Sequence, residues 1–291
     1  MKPSEIESTR LLALLAEGRA LLGVDTDARI DLRVLVEHYT GLTRTQQLMD
    51  ADYPVTSEVA ECVRAALQRR AQGEPVAYIT GQRSFWRHEF LVTPATLIPR
   101  PETEHLVEWA LEKIPQNLCC TVVDLGTGSG VIALSLAFER PQVLVLGCDF
   151  SATALNVAQA NQSRILSMKS RNLCWIRGSW AQMIAPQSVD MIVSNPPYIC
   201  ADDPHLSQGD VRFEPISALV AGEAGLDDYR LIINQAQYAL KLGGWLLFEH
   251  GHAQAELVQD LLDQAGFVAI ETRQDLAGHP RNTIGQKPES I

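Results

Sequence analysis

Ser194-Asn195-Pro196-Pro197-Tyr198 is the stretch of the chain whose residue types are best suited to chemistry; it follows the apolar run Val189-Asp190-Met191-Ile192-Val193. That run reads as a buried strand. The two prolines end it abruptly, because neither can donate to a sheet ladder and each fixes its own φ. An amide side chain is then held on a stiff turn at a strand tip. A planar NH2 group docked there could give one hydrogen to the Asn195 side-chain oxygen and the other to the Pro196 carbonyl, while the Tyr198 ring covers its face. Asn195, Pro196, Pro197 and Tyr198 are therefore the candidate catalytic residues. A proline pair after a strand is also an ordinary turn, so the reading depends on a second site upstream.

Such a site is present. Thr121-Val122-Val123-Asp124-Leu125-Gly126-Thr127-Gly128-Ser129-Gly130, followed by Val131-Ile132-Ala133-Leu134, reads as strand, glycine loop and helix. A second strand, Val143 to Asp149, ends in a carboxylate about 20 residues beyond the loop. The spacing Gly126-x-Gly128-x-Gly130 is one residue shorter than the dinucleotide fingerprint. A pyrophosphate needs a helix N-terminus aimed at it, whereas a glycine loop that only lets backbone approach a ribose and an amino-acid tail suits S-adenosylmethionine. Asp149 can accept both ribose hydroxyls, and Asp124 is placed where it could face an ammonium group. A glycine loop alone is also a common tight turn. Loop, Asp149 and Asn-Pro-Pro-Tyr in this order argue together for a methyl-donor site beside an amide-holding turn.

The elements that must position these residues follow from periodicity. From about Ser4 to Gln72 apolar residues recur at helical spacing, punctuated by Gly23, Gly41 and Tyr53-Pro54 into four or five short helices. Tyr78 to Trp86 and Glu89 to Thr93 alternate as a hairpin would. Thr103 or its neighbouring carboxylates serve the start of a helix through Leu106 and Leu111. Strand-helix alternation then continues. Ala152 to Gln162 is a helix, Cys174 to Ile176 a short strand, Ala201 to Asp228 a long loop and Tyr229 to Lys241 a helix. Trp245 to Glu249 is the next strand, Ala253 to Ala265 a last helix, and Phe267 to Thr272 with Thr283-Ile284 two closing strands. Repeated βα units call for a parallel sheet covered by helices on both faces. The division expected is a helical N-terminal recognition domain over 1–77, a hairpin linker over 78–96 and a cofactor-binding domain over 97–291.

Composition excludes several classes. The chain has 291 residues, 46% of them hydrophobic, a net charge of −11 and a pI near 5.1. Affinity for a phosphate backbone comes mainly from Lys and Arg, so direct nucleic-acid binding is not expected. Arg69, Arg70, Arg83, Arg87 and Arg100 read as a solvated face with a few ion pairs. The first residues have neither a basic start followed by an apolar core nor a transit composition, and no apolar stretch reaches spanning length; the expected location is the cytoplasm, off the membrane. The six cysteines are scattered without a Cys-x-x-Cys pair and read as reduced core residues, with no metal site expected. None of the histidines is given a catalytic role, and His250 and His252 read as surface or supporting residues.

Taken together the motifs resemble those of the peptide chain release factor N5-glutamine methyltransferases, along nearly the whole chain. The matching stretches are Asp124 to Gly130, Asn195 to Ile199, Gly73-Glu74-Pro75 with Tyr78-Ile79 and Gly81, and Leu97-Ile98-Pro99-Arg100-Pro101-Glu102-Thr103-Glu104. Glu214-Pro215 with Ala218-Leu219, Gly225-Leu226, Gly243-Gly244 with Glu249, and Asp275 with Arg281 add to them. The resemblance implies an α/β fold: a doubly wound, mostly parallel, seven-stranded Rossmann-like methyltransferase sheet preceded by a small all-helical domain. It implies that Gly126, Thr127, Gly128, Ser129, Gly130, Asp149, Trp180 and Asn195 contact S-adenosylmethionine, and that Asn195 to Tyr198 hold the substrate glutamine. The implied reaction is in-line methylation of the side-chain amide of the glutamine in the Gly-Gly-Gln motif of class I release factors. Ser179 stands where the family usually has an acid before Trp180, and Arg281-Asn282-Thr283-Ile284 alters the usual closing run. Glutamine methylation of a ribosomal protein, N6-adenine methylation of DNA on a flipped base, and a non-catalytic cofactor-binding module are the alternatives.

Overall fold

The computed structural model describes residues 8–116, 119–166, 172–222 and 224–289. The part of the expected helical pattern over 4–7 lies outside them. The chain divides into two units: Met1–Gly81 with Gln208–Phe213, and Gln82–Ser207 with Glu214–Ile291.

The first unit contains helices Leu11–Leu22, Thr26–Thr40, Arg44–Met49, Ser57–Ala71 and Val76–Thr80. Their starts are encoded locally. Asp25 accepts from the Ala28 N–H at 2.9 Å, and Thr43 with Gln46 forms a capping box, each satisfying an amide that the first turn leaves open. Leu14, Leu32, Leu35, Val63 and Leu67 form one apolar cluster. Residues Ser8–Arg10 and Pro54–Thr56 pair as a short antiparallel ribbon that the helical periodicity did not reveal. Gln208–Phe213 joins this unit although it lies between two segments of the other. Arg70 is bonded to Asp31 at 2.6 Å and to Asp210 at 2.8 Å.

In the second unit, strands Gln82–Phe85 and His88–Leu91 pair as an antiparallel hairpin; Tyr78 to Thr80, expected within it, are helical. Seven further strands form one sheet: β1 (Thr121–Leu125), β2 (Leu144–Asp149), β3 (Leu173–Arg177), β4 (Val189–Ser194), β5 (Leu240–Glu249), β6 (Val268–Gln274) and β7 (Pro280–Gln286). Their order is β3-β2-β1-β4-β5-β7-β6. The first five run parallel, and β7 is antiparallel to both β5 and β6. β5 begins at Leu240, earlier than expected. Lys241 and the Gly243-Gly244 pair lie inside the strand, and the register shift opposite Val189 to Met191 absorbs the irregularity.

Alternate residues of each central strand enter different cores, as the two-residue period demands. Val122, Val145, Met191 and Leu247 pack with Leu106 and Trp109 of helix Thr103–Lys113 and with Leu134 of helix Val131–Glu139. Val123, Cys148, Ile192 and Leu246 face Tyr229, Ile232 and Ala236 of helix Asp227–Ala239 and Val258 and Leu262 of helix Ala255–Gln264. Both faces are therefore covered. The reading of the cysteines as core residues holds only for Cys148; Cys62 and Cys174 are exposed on the solvent face of a helix and a strand, and Cys119 is exposed ahead of β1.

Candidate active site

Parallel strands all finish at one sheet edge, and the chain order reverses between β1 and β4, so a crevice opens beside their C-terminal tips. Ser194 ties the two tips together, its hydroxyl donating to the Leu125 carbonyl at 2.8 Å. A cavity of about 390 Å³ lies there, within the range of small-molecule sites. Its wall includes Gly126, Thr127, Gly128, Ser129, Asp149, Trp180, Asn195 and Pro197. The structure thus brings most of the sequence-derived set to one place. Gly130, Pro196 and Tyr198 are not part of the wall.

The glycine loop divides its labour. Gly126, Gly128 and Gly130 have φ of 72°, 55° and 84°, the left-handed region that side chains disfavour. A Cβ on Gly126 would come 3.1 Å from the Trp180 ring, whereas one on Gly130 would meet Trp175 at 2.9 Å and Leu134 at 3.1 Å. The side of Gly130 where a Cβ would stand is thus filled by packing behind the loop, and Gly130 is not part of the cavity wall. Asp124 is also beneath the loop rather than in the cavity. Its Oδ2 accepts from the Thr127 hydroxyl at 2.5 Å and from the Ala133 N–H at 3.1 Å, joining loop to helix, while its Oδ1 is buried with no partner among the described residues. Burial raises its pKa to about 7.

Asp149 sits at the tip of β2, 8% exposed. Its oxygens accept from the Gly128 N–H and the Ser151 N–H, both at 2.9 Å. Burial raises its pKa while those amides oppose the rise. Trp180 adopts φ 50°, a conformation that costs about 1–3 kcal/mol for such a residue and persists where surroundings impose it. Its side chain hydrogen-bonds the Asp228 carboxylate, which also lines the cavity and whose pKa burial raises.

At the tip of β4, Asn195 is half-buried and its Nδ2 donates to the Thr103 hydroxyl at 3.2 Å. The carboxyl of Glu249, 2% exposed, lies beside Thr103 and Asn195, whose side chains oppose the rise that burial causes in its pKa. Thr103, read from sequence as a helix start, caps nothing. Glu102 occupies that position, without a side-chain cap bond, and Thr103 turns into the cavity wall. The far end of the turn is pinned twice. The Tyr198 carbonyl accepts from Gln254 Nε2 at 3.0 Å, and the Tyr198 and Ile199 amides reach the Leu219 carbonyl at 3.2 and 2.8 Å. Gly225 passes so close that a Cβ would lie 2.3 Å from the Tyr198 carbonyl oxygen. The Tyr198 ring packs against the apolar cluster around Phe248 rather than over the cavity, and burial pushes its hydroxyl well above the ordinary value.

Arg100 lines the cavity and is paired with Glu214, whose side chain is fully buried and also accepts from the Ile98 N–H at 3.0 Å. Reading Arg100 as a solvated arginine is corrected by that partner, more than 100 residues away in sequence. His250 is likewise no surface residue: it is buried, with its ring nitrogens on the Gly251 carbonyl and the Thr283 hydroxyl. Among the missed residues, Thr103, Glu214, Asp228 and Gln254 gave no local signal. Glu249 gave one, a carboxylate ending the apolar run Trp245 to Phe248.

Comparison with known proteins agrees with this geometry. Residues 13–81 match the PrmC N-terminal domain, and residues 106–208 the methyltransferase small domain. A release factor glutamine methyltransferase of Xylella fastidiosa (strain Temecula1) is 44% identical over 271 residues, 92% of this chain and 98% of that protein. The chain belongs to the release factor glutamine methyltransferase family. The Escherichia coli K12 protein of the same name is 44% identical over 272 residues, covering 94% of this chain and 97% of its own. A methyltransferase from Pyrococcus furiosus superposes with a TM-score of 0.52 over 76% of this chain and 97% of its own at 14% identity, a likeness of fold. Within the family's methyltransferase fold, the cavity lies where β1, β2 and β4 end. Among the described residues no helix is long and apolar enough to cross a membrane.

Proposed function

We propose that this protein methylates the side-chain amide nitrogen (N5) of a glutamine, that of the Gly-Gly-Gln motif of class I release factors, with S-adenosylmethionine as donor. The observation that carries the reading is Asn195: its Nδ2 is occupied by the Thr103 hydroxyl, which leaves Oδ1 as an acceptor at the cavity wall. The cavity suits the donor, because its wall combines a buried carboxylate at a strand tip, a side-chain-free loop and the Trp180 indole. Asp149 would hold a ribose, Gly126 to Ser129 would let backbone approach, and Trp180 would border the base. When bound, S-adenosylmethionine supplies a methyl group on a positively charged sulfur.

The remaining chemistry belongs to the chain. An amide nitrogen is a poor nucleophile because its lone pair is delocalised into the carbonyl. Asn195 Oδ1, at the cavity wall, accepts one of its hydrogens, which favours the positive charge that grows on nitrogen and aims the lone pair. Pro197 stiffens the turn and Tyr198 anchors its end. Holding the partners in line contributes on the order of 7–11 kcal/mol. The alkylated nitrogen sheds its proton readily, so no strong base is needed.

Transfer of labelled methyl to purified release factor tests the proposal. The controls are a factor with Gln→Ala in its Gly-Gly-Gln loop, ribosomal proteins and duplex DNA. Label on the wild-type factor alone is expected, and Asn195→Ala removes it. Label on ribosomal protein or DNA would overturn the choice of substrate.

A further inference from the structure

We propose that Glu249, acting through Thr103, is a positioning residue that fixes which end of the Asn195 amide faces the substrate. The inference rests on the reading of Asn195 as the acceptor of the glutamine NH2. β4 and β5 run parallel with Ser194 beside Phe248, so the next residues, Asn195 just past β4 and Glu249 at the last position of β5, come side by side at the strand tips. Thr103 reaches the same point from the first turn of its helix.

An asparagine amide has two ends of nearly equal shape and opposite hydrogen-bonding sense. With Oδ1 toward the cavity it accepts a substrate N–H. Turned over, it opposes one NH2 with another and the site is inert. The bonds around Glu249 remove this ambiguity. A carboxylate only accepts, so the Thr103 hydroxyl beside it turns its hydrogen toward Glu249 and keeps a lone pair for Asn195 Nδ2. Donor-to-acceptor sense therefore runs from Asn195 into Glu249, and Oδ1 is left pointing away from both.

Stability does not account for this carboxylate. It is buried, and its Oε2 has no partner among the described residues, an arrangement that ordinarily weakens a fold. Sites that break local rules in this way are where function is expected. The charged and titratable groups that act on it are Glu102 from the start of the Thr103 helix, Arg281 from β7, and Tyr198 and Tyr229. Burial raises its pKa to about 7. Below that pH the protonated acid can donate, so the turned-over amide becomes competitive and turnover should fall.

Three proteins test this: wild type, Glu249→Leu, which removes the acceptor, and Glu249→Gln, which keeps one acceptor and cannot ionise. Glu249→Leu should lower kcat about 100-fold, the scale of a misplaced reacting group. Its affinity for S-adenosylhomocysteine by calorimetry should stay within about 3-fold, and its unfolding midpoint should not fall. Glu249→Gln, which also offers a donor beside its one acceptor, should hold kcat near the low-pH level of wild type and lack the wild-type decline below about pH 7. A readout free of turnover is the side-chain NH2 signal of Asn195 in 15N-asparagine-labelled protein, assigned by its loss in Asn195→Asp. It should shift with pH near 7 in wild type and not in Glu249→Gln. Full kcat in a folded Glu249→Leu protein, or an Asn195 signal indifferent to both variants, would overturn the inference. A wild-type protein that methylates no glutamine would instead overturn the functional reading on which it rests.

Discussion

Gly130→Ala separates the part of the glycine loop that packs from the part that faces the cavity. The new methyl group would sit 2.9 Å from Trp175, 3.1 Å from Leu134 and 3.2 Å from Ala158, at φ 84°. Left-handed backbone in a residue with a Cβ costs about 1–2 kcal/mol, and forcing a methyl into a filled core about 1–3 kcal/mol. Alanine's stiffer unfolded chain returns about 0.4–1 kcal/mol. The net loss is about 3 kcal/mol. All five tryptophans belong to the second unit, so tryptophan fluorescence during urea unfolding follows that unit alone. With a slope of about 3 kcal/mol/M the midpoint should drop by about 1 M. Gly128→Ala is the matched control: the nearest atom to its Cβ is 4.0 Å away, leaving only the backbone penalty. Calorimetric affinity of Gly130→Ala for S-adenosylhomocysteine, measured in the absence of urea, should stay near wild type. A wild-type midpoint for Gly130→Ala would refute the packing role, and a large loss of affinity at unchanged stability would return Gly130 to the binding surface.

Asp149→Ala should raise the dissociation constant for S-adenosylhomocysteine by about 100-fold, the scale of losing hydrogen bonds to a charged group; an unchanged constant by calorimetry contradicts the ribose assignment. Asp124→Asn should alter how stability depends on pH. The folded carboxyl holds its proton up to about 7 against an ordinary 3.8, so the wild-type fold loses stability as pH rises through that window, by up to about 4 kcal/mol from this group. The variant should therefore gain on wild type between pH 5 and pH 8 in urea titrations, and the opposite trend would refute the burial argument.

What sequence made legible was whatever depends on neighbours along the chain. The strand, glycine loop and helix around Val122 to Leu136 could be read because apolar runs and left-handed glycines are local signals. Asp149 and Asn195 could be placed because each ends a buried run. Thr103, Arg100 and Glu249 were not read for their part in the site, because their neighbours lie far away in sequence: Thr103, Asn195 and Glu249 meet only when β4, β5 and the Thr103 helix converge, and Glu214 reaches Arg100 from a loop. The short ribbon of Ser8–Arg10 with Pro54–Thr56 escaped for the same reason, and three residues carry too little periodicity to mark a strand. Tyr198 shows the converse: its type suggested a ring over the substrate, whereas the pull of an apolar cluster decides where an aromatic ring goes.

The six residues Gln208–Phe213 belong to the helical unit while being encoded inside the methyltransferase unit. A chimera that exchanges residues 1–81 for those of a relative would therefore carry a mismatched seventh piece, with Asp210 facing whatever replaces Arg70. Recombination at a single crossover point cannot move this unit intact. Two segments, 1–81 and Gln208–Phe213, must travel together.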